Sequence, residues 1–292
     1  MHTRTLGNRD YSTAVFLFPW VAVFSIFWLF PLLYSLFLSF TQYSTLQNTF
    51  AWQGFGNYAA LLRDPDLRQA FINTMIFSAG TIPPILAFSL LSAVLLDSVS
   101  TLKSFYRSAI FLPSVTSLVV VSLVFTNLYA RGGYLATLSK LAGIPFPVRG
   151  LLLEPATALP AVMAMDVWLS IGYYALIFLA ALQALPKDVY ESAGMDGAGA
   201  IKKFFHITLP GLRTTIAFVV VVLTIKSLQV FVEIFVMTKG GPLNRTTTMV
   251  YEVYRNAFER MDGMGYASAM AYLLFVLILL LSFFYLRLLR ER

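Results

Sequence analysis

Asp166, Lys226 and Glu233 each interrupt a long apolar stretch, and a charge in such a place needs a physical reason. At the centre of a membrane-spanning helix an ionised side chain costs roughly 2.5–3.5 kcal/mol on insertion scales, so such groups turn toward the interior of a bundle or toward water. Lys226, Gln229 and Glu233 follow one another at spacings of three and four, which puts them on one helix face with Ser227 beside them. Asp166, Ser170 and Tyr173 are spaced four and three, with Trp168 and Tyr174 close by. Two chemistries suit these residue types. Hydroxyl, amide and charged groups beside aromatic faces can hold a polyhydroxylated solute, which offers both O–H groups and apolar C–H faces. An Asp166–Lys226 or Glu233–Lys226 ion pair can equally serve only to tie two helices together. No catalytic constellation accompanies them. His2 and His206 lack acidic or histidine neighbours at metal-ligand spacing, and a chain without cysteine has no disulfides or Cys-ligated metals.

The elements that must position these groups follow from composition. Of 292 residues, 58% are hydrophobic and 12% charged, whereas soluble domains carry about 25% charged residues. Polar residues gather in short islands between apolar runs, the pattern of a polytopic helical membrane protein. Six runs reach the about 20 residues that cross a ~30 Å hydrocarbon core. They are approximately Thr13–Phe40, Phe71–Leu96, Ala109–Tyr129, Leu159–Leu185, Leu212–Met237 and Tyr266–Leu286. The expected fold class is therefore an all-α membrane protein, with six transmembrane helices forming one domain over residues 1–292. The first run is far longer than a signal-peptide core of about 7–15 residues and reads as a retained span. Pro19, Pro31, Pro83 and Pro84 lie inside the first two spans, where proline usually marks a kink. Counted from the outer ends at ~1.5 Å per residue, Asp166 lies about 12 Å deep and Lys226 about 18 Å, so a pair is within reach.

Eleven of the 21 Lys and Arg residues fall on the side that holds both termini and the 97–108 and 186–213 loops, from Arg4 to Arg292. Nine fall on the other side, over three longer loops, and Lys226 lies in a span. The positive-inside rule favours cytoplasmic termini. The net charge of +7 fits loops meeting anionic lipid headgroups and not nucleic acid.

The loop at 186–211 carries the sequence ESAGMDGAGAIKKFFHITLP from Glu191 to Pro210. Gly194 and Gly199 have the gap of a phosphate loop, but Ala200 and Ile201 stand where Lys and Ser or Thr are required, and an apolar helix precedes it instead of a strand. If ATP is used, another subunit binds it. Asp188 with Glu191 three residues later reads as a capping box at a helix start. Asp196-Gly197 reads as a turn that needs positive φ, and a second short helix follows from Ala200 to about Thr208, with Pro210 opening the next span. The tip is made of small residues, which lets another backbone approach. On these grounds the loop is either a docking knob or an interfacial loop anchored in lipid by Phe204 and Phe205.

Glu191-Ser192-Ala193, Asp196-Gly197-Ala198 and then Phe204, Ile207, Leu209 and Pro210 resemble the EAA motif of permease subunits of binding-protein-dependent ABC importers. That pattern is Glu-Ala-Ala, three residues, Gly, nine residues and Ile-x-Leu-Pro. Gly197 and Ile207 keep its spacing, and Ser192 departs from it. The stretches ALQALPKDVYESAGMDGAG, FLPS at 111–114 and TKGGP at 238–242 are similar to the carbohydrate-uptake branch related to maltose and glycerol-3-phosphate permeases. The resemblance implies a type I ABC importer permease-like fold in which the loop is a cytoplasmic coupling helix seated in an ATPase subunit. It also implies alternating access for a sugar or related polyol across a bacterial or archaeal cytoplasmic membrane. The implied partners are a second, homologous permease, an ABC ATPase dimer holding ATP and Mg, and an extracytoplasmic solute-binding protein that the TKGGP loop approaches. It points to Ser114, Trp168, Ser170, Tyr173, Lys226, Ser227, Gln229 and Glu233 as lining the pathway. No cofactor or metal and no catalytic residue is expected in this chain. The rival reading is an ion-coupled secondary transporter that uses Asp166, Lys226 and Glu233.

Overall fold

The computed structural model describes residues 7–44, 49–99, 101–260 and 263–290. His2, Arg4 and Arg292 lie outside the described residues. Among the described residues, five helical stretches are long and apolar enough to cross a membrane: Val15–Ser39, Pro65–Ser98, Ala158–Gln183, Arg213–Met237 and Met264–Tyr285. The expected straight span at Ala109–Tyr129 is instead two helical pieces, Lys103–Val115 and Leu118–Leu128, bent by 91°. The cause is local. Pro113 sits in a tight 3-10 turn at Leu112–Val115, and Thr116 and Ser117 then take extended backbone angles, so the helical ladder is interrupted.

The chain divides into two compact units, Met1–Arg63 with Val253–Leu273 and Asp64–Glu252 with Leu274–Arg292. In the first unit, α1 (Gly7–Phe24) continues through a π-helical turn into α2 (Phe30–Ser39). A short antiparallel hairpin follows, β1 (Thr41–Ser44) on β2 (Thr49–Trp52), with Thr41 opposite Trp52. It was not expected from hydropathy, but its Thr, Tyr, Phe and Trp residues suit a pleated surface. The hairpin is held by α3 (Gly56–Leu61), whose Asn57 amide donates to the Ser39 and Thr41 carbonyls at 2.9 Å each. Phe40 packs against Trp52, Phe55 and Tyr58.

The second unit is built on α4 (Pro65–Ser98). Asp64 caps it by accepting from the Asp66 and Leu67 amides at 2.8 and 3.3 Å, and Pro65 opens it where no N–H is needed. The helix runs unbroken past Pro83 and Pro84. Then come α5 (Lys103–Phe111), α6 (Leu118–Leu128), α7 (Tyr134–Leu141) and α8 (Ala158–Gln183). The loop holds α9 (Lys187–Met195), α10 (Ala200–Lys203) and α11 (Leu209–Gly211). It leads into α12 (Arg213–Leu228), α13 (Val232–Met237) and α14 (Met249–Tyr254); the end of α14 and the first part of α15 (Met264–Arg290) belong to the first unit.

α8 is the central element: 56% of its most apolar stretch is buried, against 6% for Val15–Ser39. Ile85, Ala93 and Leu96 of α4, Tyr174, Phe178 and Leu179 of α8 and Val219 and Leu223 of α12 form one buried cluster. Two small features let α8 take this place. A Cβ at Gly172 would lie 2.1 Å from the Ile110 carbonyl oxygen of α5, so only glycine allows the two backbones to come this close. Beside it, Ser114 bridges the ends of one helical rung: the Tyr173 N–H donates to its Oγ at 3.0 Å and the hydroxyl donates to the Leu169 carbonyl at 2.9 Å. A side chain inserted into the ladder in this way satisfies both groups while locally opening the helix.

Because the obstacle at Gly172 is backbone, it cannot swing away. Gly172→Ala is expected to destabilise the purified protein by about 1–3 kcal/mol, the range for overpacking. Gly132→Ala, which meets open space, is expected to be silent. Thermal unfolding of both variants in detergent checks the pair.

Candidate functional site

Lys226 and Asp166 meet. The Lys226 ammonium donates to Asp166 Oδ1 at 2.7 Å and to Ser170 Oγ at 2.6 Å. Asp166 is 2% exposed, whereas the Lys226 side chain is 39% exposed. The carboxylate is therefore sealed between helices and the ammonium sits at the edge of the packing. Lys226 also occupies the last turn of α12, where the partial negative charge of the helix end favours a cation. Of the two pairings open from the sequence, the structure makes Asp166–Lys226. Glu233 is buried on α13.

One expected alignment is absent. Lys226, Gln229 and Glu233 do not share one helix face, because the helix stops at Leu228, Gln229 closes it, and Val230 and Phe231 leave the ladder before α13 begins. Broken backbone at membrane depth needs partners for its freed carbonyls. Here the Thr248 hydroxyl donates to the Val230 carbonyl at 2.9 Å. Gln229 is left exposed, while Ser227 is buried and donates to the Thr224 carbonyl of its own helix at 3.1 Å.

The remaining pathway residues are scattered around α8. Tyr173 lies two turns from Asp166 on nearly the same stripe, since 7 × ~100° is close to two turns, and it is exposed. Trp168 points about 200° away from Asp166 and packs on Phe125 of α6 with ring centroids 5.3 Å apart. Ser114 is engaged by the α8 backbone as described. Asp166, Ser170 and Lys226 thus form the one close cluster among these residues.

The TKGGP segment at 238–242 is more than the exposed turn its composition suggests. Lys239 and Gly240 have positive φ, and a Cβ at Gly240 would lie 2.5 Å from Thr247 Oγ1. Thr246, Thr247 and Thr248 are buried. Thr246 donates to the Gly241 carbonyl at 2.7 Å and Thr247 to the Gly240 carbonyl at 3.2 Å. The Asn73 amide of α4 donates to the Asn244 and Thr247 carbonyls, both at 2.9 Å, and the Met249 amide donates to Thr74 Oγ1 at 3.0 Å. Asn73 and Thr74 were missed from the sequence. The signal available was two adjacent polar residues in an apolar run and a run of three threonines downstream.

At the opposite end of α8, the 186–211 loop folds as two helices around a glycine. Pro186, without a side-chain bond, precedes α9, so Asp188 falls inside the first turn. The expected capping box with Glu191 is therefore not formed, and Asp188 acts on the helix end by charge alone. The far end of α9 closes in a Schellman motif: the Ala198 amide donates to the Ala193 carbonyl at 2.9 Å and the Gly197 amide to the Gly194 carbonyl at 3.1 Å. Gly197 has φ +73°, the left-handed value this motif requires after the Asp196 cap. Glu191 and Ser192 are exposed, and Ser192 donates back to the Asp188 carbonyl at 2.9 Å. The second helix continues past α10 as a π-helical turn from Phe204 to Thr208, and Leu209 and Pro210 begin α11. A bond between Tyr190 Oη and Thr208 Oγ1 at 2.9 Å ties the two halves. Met195 is 84% and Ile201 77% exposed, with Phe205 also exposed, so the tip offers apolar side chains and small residues together.

Residues 97–292 match the family described as binding-protein-dependent transport system inner membrane component. A probable ABC transporter permease protein of Bacillus subtilis (strain 168), YurN, is 35% identical over 272 residues, covering 92% of each chain. The lactose transport system permease protein LacF of Rhizobium radiobacter is 32% identical over 286 residues, 97% of this chain and 95% of its own. In three dimensions the fold is similar to a chain of a bacterial ABC transporter involved in the import of the acidic polysaccharide alginate. That likeness has a TM-score of 0.85 at 23% identity, covering 97% of this chain and 96% of the other.

The break in the fifth span predicts a measurable dependence on Thr248. Thr248→Val keeps the volume but leaves the buried Val230 carbonyl without its donor, which costs about 1–3 kcal/mol. Thr248→Ser, which keeps the hydroxyl, is expected to recover most of the loss in the same thermal-unfolding measurement.

Proposed function

Since the chain belongs to the family of binding-protein-dependent transport system inner membrane components, we propose that it is one of two permease subunits of an ATP-driven importer for a sugar or a related polyol. The observation that carries the reading is the loop at 186–211, within the matched residues. It is a helix–turn–helix with a Schellman-closed glycine and an exposed tip of small and apolar residues. Such a tip fits a cleft on another protein, and a self-sufficient transporter has no use for it.

In this reading the loop faces the cytoplasm, as do both termini, and docks on an ABC ATPase dimer that binds ATP and Mg. Closure of that dimer moves the loop. The loop is covalently continuous with α8 on one side and α12 on the other, so the movement reaches the helices that hold Asp166, Ser170 and Lys226. These helices open outward to receive solute from an extracytoplasmic binding protein, and hydrolysis in the ATPase resets them. A second, homologous permease completes the pathway. The sugar class rests on likeness to relatives such as the lactose permease protein LacF and on the polar and aromatic groups along α8 and at the end of α12. This chain supplies transport geometry and leaves hydrolysis to its partner.

The test is Gly197→Asp in the assembled importer. Aspartate is among the few non-glycine residues that accept a left-handed conformation, and nothing lies within 4 Å of a Cβ at this position, so the protein should still reach the membrane. ATP-driven uptake is expected to fall to background at an unchanged membrane level of the subunit. Uptake at the wild-type rate would rule out the loop as the coupling element.

A further inference from the structure

Resting on the reading of this chain as a sugar-importer subunit, we infer that the membrane site on α8 and α12 takes an uncharged polyhydroxylated solute and disfavours an acidic one. The argument is one of charge. Among the described residues the buried charged side chains are Asp166, Glu233 and Glu252, all acidic. Lys226, the base beside them, is already neutralised by Asp166 at 2.7 Å. Glu233 lies within electrostatic range of both members of that pair. A carboxylate or phosphate on the solute would find no unbalanced positive charge here and would approach acidic groups in a weakly screened interior.

A hydroxyl meets the opposite situation. An ammonium has three donors, and two of those on Lys226 are engaged by Asp166 and Ser170. The third N–H belongs to a side chain that is partly exposed, fixed in direction by the two bonds already made. Tyr173, one turn beyond Ser170 on α8, and Gln229, which closes α12 after Lys226, are both exposed and add a phenol and an amide. Asp166 is then a positioning residue: it holds the Lys226 donor in place and cancels its charge, so that the ammonium acts as a hydrogen-bond donor and not as an anion trap. Ser170 fixes the second direction.

The experiment uses the whole importer, with its ATPase, partner permease and binding protein, in proteoliposomes. Two labelled probes are compared, a neutral disaccharide and the corresponding uronate-containing disaccharide, each at a concentration that saturates the binding protein. ATP-driven uptake of the neutral probe with the uronate at background is expected. Asp166→Asn leaves Lys226 unbalanced, and the ratio of neutral sugar moved to ATP hydrolysed is expected to drop about tenfold, the worth of one charge-assisted hydrogen bond. A purely structural defect would lower both quantities together. The paired change Asp166→Leu with Lys226→Met removes both charges and keeps apolar packing, and it is expected to assemble without transporting. Uptake of the uronate by the wild type would overturn the inference and leave the importer reading standing. So would wild-type transport by the apolar pair, which would reduce the ion pair to a tie between helices. Absence of ATP-dependent uptake of either probe would overturn the importer reading beneath it.

Discussion

A bilayer core offers no hydrogen bonds, so every polar group that the spanning helices carry into it must be met by another part of the chain. In the larger unit that constraint falls chiefly on α8. Its Asp166 and Ser170 are met by Lys226, its Leu169 and Tyr173 backbone groups by Ser114, and its Ile171 carbonyl by Ser89 of α4 at 3.1 Å. Each partner comes from a different element. Together they fix α8 in rotation as well as in position, because a helix turned by one residue would present none of these groups correctly.

The same constraint explains the break in the fifth span. A continuous helix from Arg213 to Met237 would have satisfied its own backbone. Interrupting it at Gln229–Phe231 is tolerable only because Thr248 supplies the Val230 carbonyl with a donor. Thr248 belongs to the 238–249 segment that Asn73 and Thr74 fasten to α4. The C-terminal half of this span, α13, is linked to α4 through that segment, while its N-terminal half, α12, follows directly on the 186–211 loop. The two halves of this span are therefore anchored to different parts of the chain.

Much of this was legible in the sequence, and the limits have physical causes. Hydropathy located the long spans because ~30 Å of hydrocarbon demands about 20 apolar residues whatever the fold. The Asp196-Gly197 turn was legible because a left-handed cap selects glycine. The Asp166–Lys226 pair was one of two open pairings, since two opposite charges in lipid-facing sequence seek each other. What could not be read were features decided by tertiary partners. The break at Gln229–Phe231 lies in a stretch whose composition suits an unbroken helix. Gly172 looks like any other glycine until Ile110 is placed against it. The capping box failed by register alone: Asp188 and Glu191 have the required spacing, but the helix begins before them.

An ion pair in an apolar setting is not in itself a stabilising device. Desolvating both charges costs as much as their attraction returns, and well-packed apolar residues often serve as well or better. The pair in this protein is asymmetric, with the carboxylate sealed and the ammonium at the edge of the packing. Leaving the ammonium partly exposed spares part of its desolvation cost, while screening weakens its attraction to the carboxylate. The asymmetry is what a presented donor needs: a buried anion that fixes direction and balances charge, and a cation with one face still exposed.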